Sequence, residues 1–255
     1  MKIGVAGCKG RVGTLIVNEI LSGNWQGAEL AGGTVAPGEK PKSDFFVTDD
    51  PSALFERADA VIDFTCPTAT RLHAEIAAKQ KKILVAGTTG LTAADEKVLQ
   101  LAAKNSPIVY AANMSVGVNV LLALVEQAAS RLGPDWDIEI FESHHKNKVD
   151  APSGTALAIG KAAAKGRKVD LDKVADYARN GHTGARKTGN IGFSVARGGD
   201  VVGEHTAYFY GEGERIELGH IATNRALFAR GALRAALWAN GQKPGLYSMR
   251  DVLGL

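Results

Sequence analysis

The densest chemistry in the chain is the run Ser143-His144-His145-Lys146-Asn147-Lys148-Val149-Asp150-Ala151-Pro152-Ser153-Gly154-Thr155, with two of the six histidines side by side. A lysine a few residues from a histidine can donate a proton or clamp a carboxylate. Pro152 and Gly154 make a stiff turn into a helix. The first N–H groups of that helix, with the Ser153 and Thr155 hydroxyls, offer an anion site. A basic surface loop ending in a helix cap uses the same residue types. The position of this run after a nucleotide-type domain favours the active-site reading. Zinc fits poorly, because no further cluster of ligands lies at a suitable spacing.

A second cluster lies near the start. Gly7-Cys8-Lys9-Gly10-Arg11-Val12-Gly13 has the spacing GxxGxxG rather than GxGxxG. Glycine lets a backbone turn tightly and approach a pyrophosphate, whose charge rests on the N–H groups of a helix N-terminus. A tight turn with no ligand is the bland alternative, but this one opens a βαβ unit, the context dinucleotide binding requires. The acid expected for an adenosine ribose, about 20 residues further on, is missing. That region reads Ala31-Gly32-Gly33-Thr34-Val35-Ala36, with Glu29 too early and Glu39 out in the loop. A 2′-phosphate is then not repelled, and Lys9, Arg11, Lys40 or Lys42 could attract it, solvated surface being the better reading for Lys40 and Lys42. This favours NADPH, or use of both NADPH and NADH, over strict NADH use. Gly87-Thr88-Thr89-Gly90 and Ala111-Ala112-Asn113-Met114 follow two more apolar runs, where small residues and hydroxyls suit a nearby nicotinamide and ribose.

The elements that must hold these residues alternate in period. Lys2 to Ala6, Ala28 to Thr34, Ala60 to Phe64, Ile83 to Ala86 and Pro107 to Ala111 read as strands. Val12 to Leu21, Thr68 to Lys79 and a segment from Thr92 to about Lys104 read as helices, with Thr92 and Asp95 as a capping box. Alternation of this kind predicts a Rossmann-like α/β domain, a doubly wound parallel sheet. After Asn113 the pattern changes. Helices over Val118 to Leu132 and Ser153 to Lys165 flank a half-exposed strand from Asp137 to Glu142, and strand-like runs follow over 191–196, 204–210 and 214–220. Strands without intervening helices predict a second α+β domain with a mixed or antiparallel sheet. A helix from about Arg225 to Asn240 and a tail complete the chain. Asp63 reads as a cap for the next turn, Cys8 as a space-filler, and His205 and His220 as structural residues in strands.

Bulk properties set outer limits. At 255 residues, against roughly 150 per domain, the chain makes one large domain or two modest ones. Hydrophobic and charged fractions of 45% and 22% are those of a globular protein, which argues against disorder. The apolar run from Val120 to Val125 is far short of the roughly 18 residues of a membrane span. The chain opens on a strand rather than a signal segment. A net charge of +3 is too small and dispersed to argue for nucleic acid, and two cysteines suit a reducing cytosol.

Taken together, these motifs resemble the 4-hydroxy-tetrahydrodipicolinate reductase family, formerly called dihydrodipicolinate reductase, of bacterial and plant lysine biosynthesis. The resemblance spans nearly the whole chain. It rests on Val5-Ala6-Gly7 through Gly13, Asp63-Phe64-Thr65, Gly87 to Gly90, Ala112 to Asn119, His144 to Leu157, and Arg197 to Thr206, with Gly245 to Tyr247 and Met249 to Asp251 matching the family's tail. It implies that His144 and Lys148 are catalytic, with Lys148 the proton donor, and that His145, Gly154 and Thr155 bind substrate. It implies cofactor contacts at Gly7, Cys8, Lys9, Gly10, Arg11 and Val12, at Gly87, Thr88 and Thr89, and at Ala111, Ala112, Asn113 and Met114. The family's acidic ribose contact has no counterpart here, and Met114 stands where the family usually has Phe. Also implied are a cytoplasmic homotetramer, a cofactor domain over 1–115 rejoined by about 227–255, and a substrate-binding and oligomerisation domain over 116–226. The alternatives are another amino-acid-precursor dehydrogenase, which lacks the His-His…Lys…Pro-Ser-Gly-Thr run, and a non-catalytic NAD(P)-sensing regulator.

Overall fold

Two hydrophobic clusters on opposite sides of one parallel sheet organise the first of two compact units, residues 1–116 and 225–255. The computed structural model describes residues 1–39 and 43–255, so Lys40 and Lys42, weighed above as partners of a 2′-phosphate, lie outside the described residues. In chain order the elements are β1 (Lys2–Ala6), α1 (Arg11–Leu21), β2 (Glu29–Thr34), β3 (Val47–Thr48), α2 (Pro51–Arg57), β4 (Ala60–Asp63), α3 (Pro67–Gln80), β5 (Ile83–Ala86), α4 (Ala93–Ala102) and β6 (Pro107–Tyr110). The second unit, residues 117–224, takes α5 (Val116–Arg131), β7 (Asp137–His144), α6 (Gly154–Arg167), α7 (Leu171–Val174), β8 (Ala175–Asp176), β9 (Ile191–Arg197), β10 (Gly203–Gly211) and β11 (Glu214–Ala222). The chain then returns to the first unit as α8 (Ala226–Ala239), β12 (Gly245–Tyr247) and α9 (Met249–Leu253).

The first unit's sheet runs β12-β6-β5-β4-β1-β2-β3, with every pairing parallel. Strands β4 and β5 are buried at every position, as expected of strands covered on both faces. Alternation sorts their side chains. Ile3, Val5, Ile62, Val85 and Val109 meet α1 and α8, while Val61, Leu84 and Ile108 meet α2, α3 and α4. Helix α1 presents Gly13, Ile16, Val17 and Ile20 as one buried stripe. Each fully buried aliphatic side chain of this kind contributes roughly 1.5–3 kcal/mol. The order turns round between β1 and β4, the switch point where open α/β sheets bind ligands beyond their strand C-termini.

The second unit's sheet runs β11-β10-β7-β9-β8. Strand β10 is antiparallel to β11 and β7, whereas β9 is parallel to β7 and β8, so the sheet is mixed. Helices α5 and α6 cover one face through Leu121, Val125, Ile159 and Ala163, packed on Ile138, Ile140, Ala207 and Phe209.

Six short elements, β3, α2, α7, β8, β12 and α9, escape the sequence reading. Asp50 caps α2 by accepting the Ser52 N–H, with Pro51 as its first residue. Helix α7 and strand β8 lie between α6 and β9. The expected tail is instead an edge strand and a capped helix, β12 pairing with β6 and Ser248 forming a capping box with Asp251. Among the described residues no helix is long and apolar enough to cross a membrane.

Candidate active site

In the first unit the cofactor candidates all sit beyond strand C-termini. Gly7 follows β1 at φ +66, a left-handed conformation that favours glycine. Gly10 then caps α1 with no side-chain bond, and the first turn of α1 carries no acid. Gly13 is buried where an added Cβ would stand 2.1 Å from the Gly7 carbonyl oxygen. The loop therefore presents a bare helix N-terminus, flanked by the exposed side chains of Lys9 and Arg11, which fits a pyrophosphate. Cys8 is buried, and burial raises its thiol pKa. Val12 is half-buried.

The crevice has further walls. The Thr34 carbonyl accepts the Cys8 N–H at 2.9 Å and its hydroxyl accepts the Gly7 N–H at 3.2 Å, tying the end of β2 to the turn. Asp49, just past β3, accepts the Gly38 N–H at 3.0 Å, so a carboxylate reaches the loop after β2 from the neighbouring strand. Gly87 and Thr88 are buried behind exposed Thr89. Ala111 and Asn113 are half-buried and Ala112 is exposed. Met114 is fully buried in the core, so its side chain packs against protein.

Asp63 does more than cap a turn. It is fully buried at the end of β4, where Oδ1 accepts from the Thr65 N–H and hydroxyl at 2.8 and 2.6 Å. Its Oδ2 lies 2.8 Å from both the Thr70 hydroxyl and His73 Nδ1, and Thr70 and Thr88 hydroxyls are 2.8 Å apart. Burial pushes the Asp63 pKa up, but the bonds from His73, Thr65 and Thr70 outweigh it and the net shift is downward.

In the second unit the histidine–lysine run leaves β7 and enters α6. His144 is the last residue of β7 and is buried; its Nδ1 lies 2.5 Å from Glu142 Oε2. Desolvation lowers the His144 pKa, assisted by Lys148 and Arg197 and opposed by Glu142. His145 and Lys148 are half-buried. The Lys148 ammonium bonds Asp150 Oδ1 at 2.8 Å, and the bond lowers the Asp150 pKa. Ser153 caps α6, its hydroxyl accepting the Ala156 N–H at 3.1 Å. Gly154 is exposed with open space where a Cβ would go, and Thr155 is half-buried beside it. Among the described residues no group of three or more His, Cys, Asp or Glu could hold a metal ion.

Comparison with known proteins decides the family. A model described as "Dihydrodipicolinate reductase, N-terminus" matches residues 1–114, and "Dihydrodipicolinate reductase, C-terminus" matches residues 117–253. The chain belongs to the dihydrodipicolinate reductase family. The 4-hydroxy-tetrahydrodipicolinate reductase of Dinoroseobacter shibae is 49% identical over 263 residues, covering 98% of this chain and 97% of the relative. That of Rhizobium rhizogenes is 49% identical over 268 residues, covering 100% and 97%. A solved dihydrodipicolinate reductase from Paenisporosarcina, described as dipicolinate-bound, has the same fold with a TM-score of 0.81 over 97% of each chain at 22% identity. A probable dehydrogenase from Thermotoga maritima shares the fold more distantly, at a TM-score of 0.64 and 14% identity over 99% of this chain and 92% of that one.

Within this member of the dihydrodipicolinate reductase family, three residues surround His144: Glu142 and Arg197, to which the sequence assigned no role, and His205, read there as structural. Glu142 is buried behind it, Arg197 pairs with that carboxylate, and His205 stacks edge-on to the His144 ring at 5.0 Å between centroids. The available signal for Glu142 was parity. Ile138, Ile140, Glu142 and His144 share one face of β7, and that face is covered.

Proposed function

We propose that the chain catalyses NAD(P)H-dependent reduction of 4-hydroxy-tetrahydrodipicolinate to tetrahydrodipicolinate, in the cytoplasmic pathway to diaminopimelate and lysine. The observation that carries this reading is the run from His144 to Thr155. It sets a carboxylate-held imidazole, an ammonium group and a capped helix N-terminus within one stretch of chain. The substrate is a dicarboxylate, so cations and helix N–H groups suit its two charges. It would lose its 4-hydroxyl as water, and a nicotinamide cofactor held at the glycine turn of the first unit would supply hydride for the resulting double bond. Lys148 supplies the proton that completes the reduction, and His144 is its acid–base partner. The Lys148–Asp150 pair is half-open to solvent and worth about 0–1 kcal/mol, so a substrate carboxylate displaces it at little cost. His145, Gly154 and Thr155 receive the substrate carboxylates.

The residues from Gly7 to Val12 hold the pyrophosphate, and Gly87 to Thr89 with Ala111 to Asn113 line the nicotinamide end; Met114, 0% exposed with its carbonyl packed against Gly231 of α8, is left out of the expected contacts. Lys9 and Arg11, exposed beside the glycine turn, support use of NADPH alongside NADH. A sensing regulator has no need of a proton donor beside an anion site. The outer face of the second unit's sheet exposes Phe141 and Ile221, which supports a homotetramer assembled through this unit, a mass that sedimentation reads directly.

Replacing Lys148 or His144 by Ala is expected to lower kcat by about 10²-fold or more, with NADPH affinity unchanged. Nicotinamide absorbance and fluorescence titration measure the two, and an equally active variant overturns that residue's role.

A further inference from the structure

Burying a carboxylate costs several kcal/mol unless every lone pair is met. Glu142 is 1% exposed, and its surroundings meet that demand. Oε1 accepts from the Ser153 N–H at 2.9 Å and from Arg197 Nη2 at 2.8 Å. Oε2 accepts from Arg197 Nη1 at 2.8 Å and faces His144 Nδ1 at 2.5 Å. Strand register supplies the geometry, since Arg197 on β9 is the partner of His144 and His205 on β10 is the partner of Glu142. All four side chains therefore converge at one end of the covered face. Arg197 also bonds the carbonyls of Ala196 and Asp150, which holds its fork in place. Because Arg197 keeps Glu142 ionised, the carboxylate can only accept, and the ring nitrogen facing it must carry the proton.

We propose that Glu142 is a positioning residue, which holds His144 in the Nδ1–H tautomer so that Nε2 is the nitrogen that exchanges a proton with the reacting groups. This rests on the reading of His144 as the acid–base partner. Two neighbours support it. The His205 ring packs edge-on against His144 and is itself held by Ser153 Oγ 3.0 Å from its Nε2, which restricts rotation of His144. A Cβ on Gly203 would lie 3.0 Å from His144 Nε2, so glycine there leaves that nitrogen uncovered. The charged and titratable groups facing the imidazole are Glu142 on β7, Arg197 on β9, His205 on β10 and Lys148 in the loop beyond β7.

The test joins kinetics to 15N NMR of histidine-labelled protein. In the wild type, neutral His144 is expected as the Nδ1–H tautomer; the opposite tautomer overturns the proposal without any variant. In Glu142→Gln, His144 is expected to show mixed tautomers and a lower pKa. Its kcat should fall about 10²-fold, the scale of a positioned acid–base group, with cofactor KM within about twofold and partial recovery in Glu142→Asp. The pair Glu142→Gln/His144→Ala should be no slower than His144→Ala alone. A slow Glu142→Gln enzyme whose His144 tautomer and pKa are unchanged makes the Glu142–Arg197 pair merely structural. An active Glu142→Gln beside a slow His144→Ala rejects the positioning role and leaves the site reading intact. Full activity in His144→Ala rejects the site reading, while the NMR arm still reports whether Glu142 sets the tautomer.

Discussion

His205 shows what burial does to one residue of this site. It is 4% exposed, and desolvation, with the charge of His144 adding to it, lowers its pKa to about 4. In the unfolded chain the same imidazole titrates near 6.5, so between pH 6.5 and about 4 the unfolded state takes up a proton that the folded state refuses. The stability tied to neutral His205 is thus complete above pH 6.5 and is lost as pH falls towards 4, by roughly 3 kcal/mol. Urea titrations of wild type and His205→Gln across that window are expected to show a shallower loss in the variant; parallel curves contradict the shift. The residue types in this site were legible in the chain, their contacts less so. The His-His…Lys run declares its chemistry locally. Glu142 announces itself only through strand parity, and Arg197 arrives from 55 residues away, a pairing that depends on the β7–β9 register. His205 read as structural because its strand alternates normally, and nothing local says that the neighbouring strand ends in a histidine.

Elements long enough to show a period were readable, and short ones were not. The buried stripe of α1 and the Thr92–Asp95 capping box are local patterns that fold as their spacing implies. Strand β12 has three residues and helix α9 five, too few for either period to emerge, and β12 exists because β6 leaves an edge for it. The β1-to-α1 turn is the element on which the cofactor reading depends most. In Gly13→Ala the new methyl group meets the Gly7 carbonyl at 2.1 Å, so the turn must shift. The expected result is an NADPH affinity at least about tenfold weaker, or 1.4 kcal/mol, with roughly 1–3 kcal/mol lost from stability. Fluorescence titration and thermal melts check both, and unchanged affinity removes the turn from the cofactor site.

At the scale of the whole molecule, one chain combines a parallel sheet with a glycine turn at its switch point and a mixed sheet ending in a carboxylate-held histidine. The return of α8, β12 and α9 to the first unit makes the second an insertion, so a cut after Val116 leaves the first core without α8. The central claim is that both units serve one reduction. Steady-state kinetics with NADPH and with NADH, on 4-hydroxy-tetrahydrodipicolinate, test it most directly. The expected result is one nicotinamide oxidised per substrate consumed, with both cofactors used and NADPH at least as effective in kcat/KM. Tight NADPH binding without turnover of this substrate would contradict the claim.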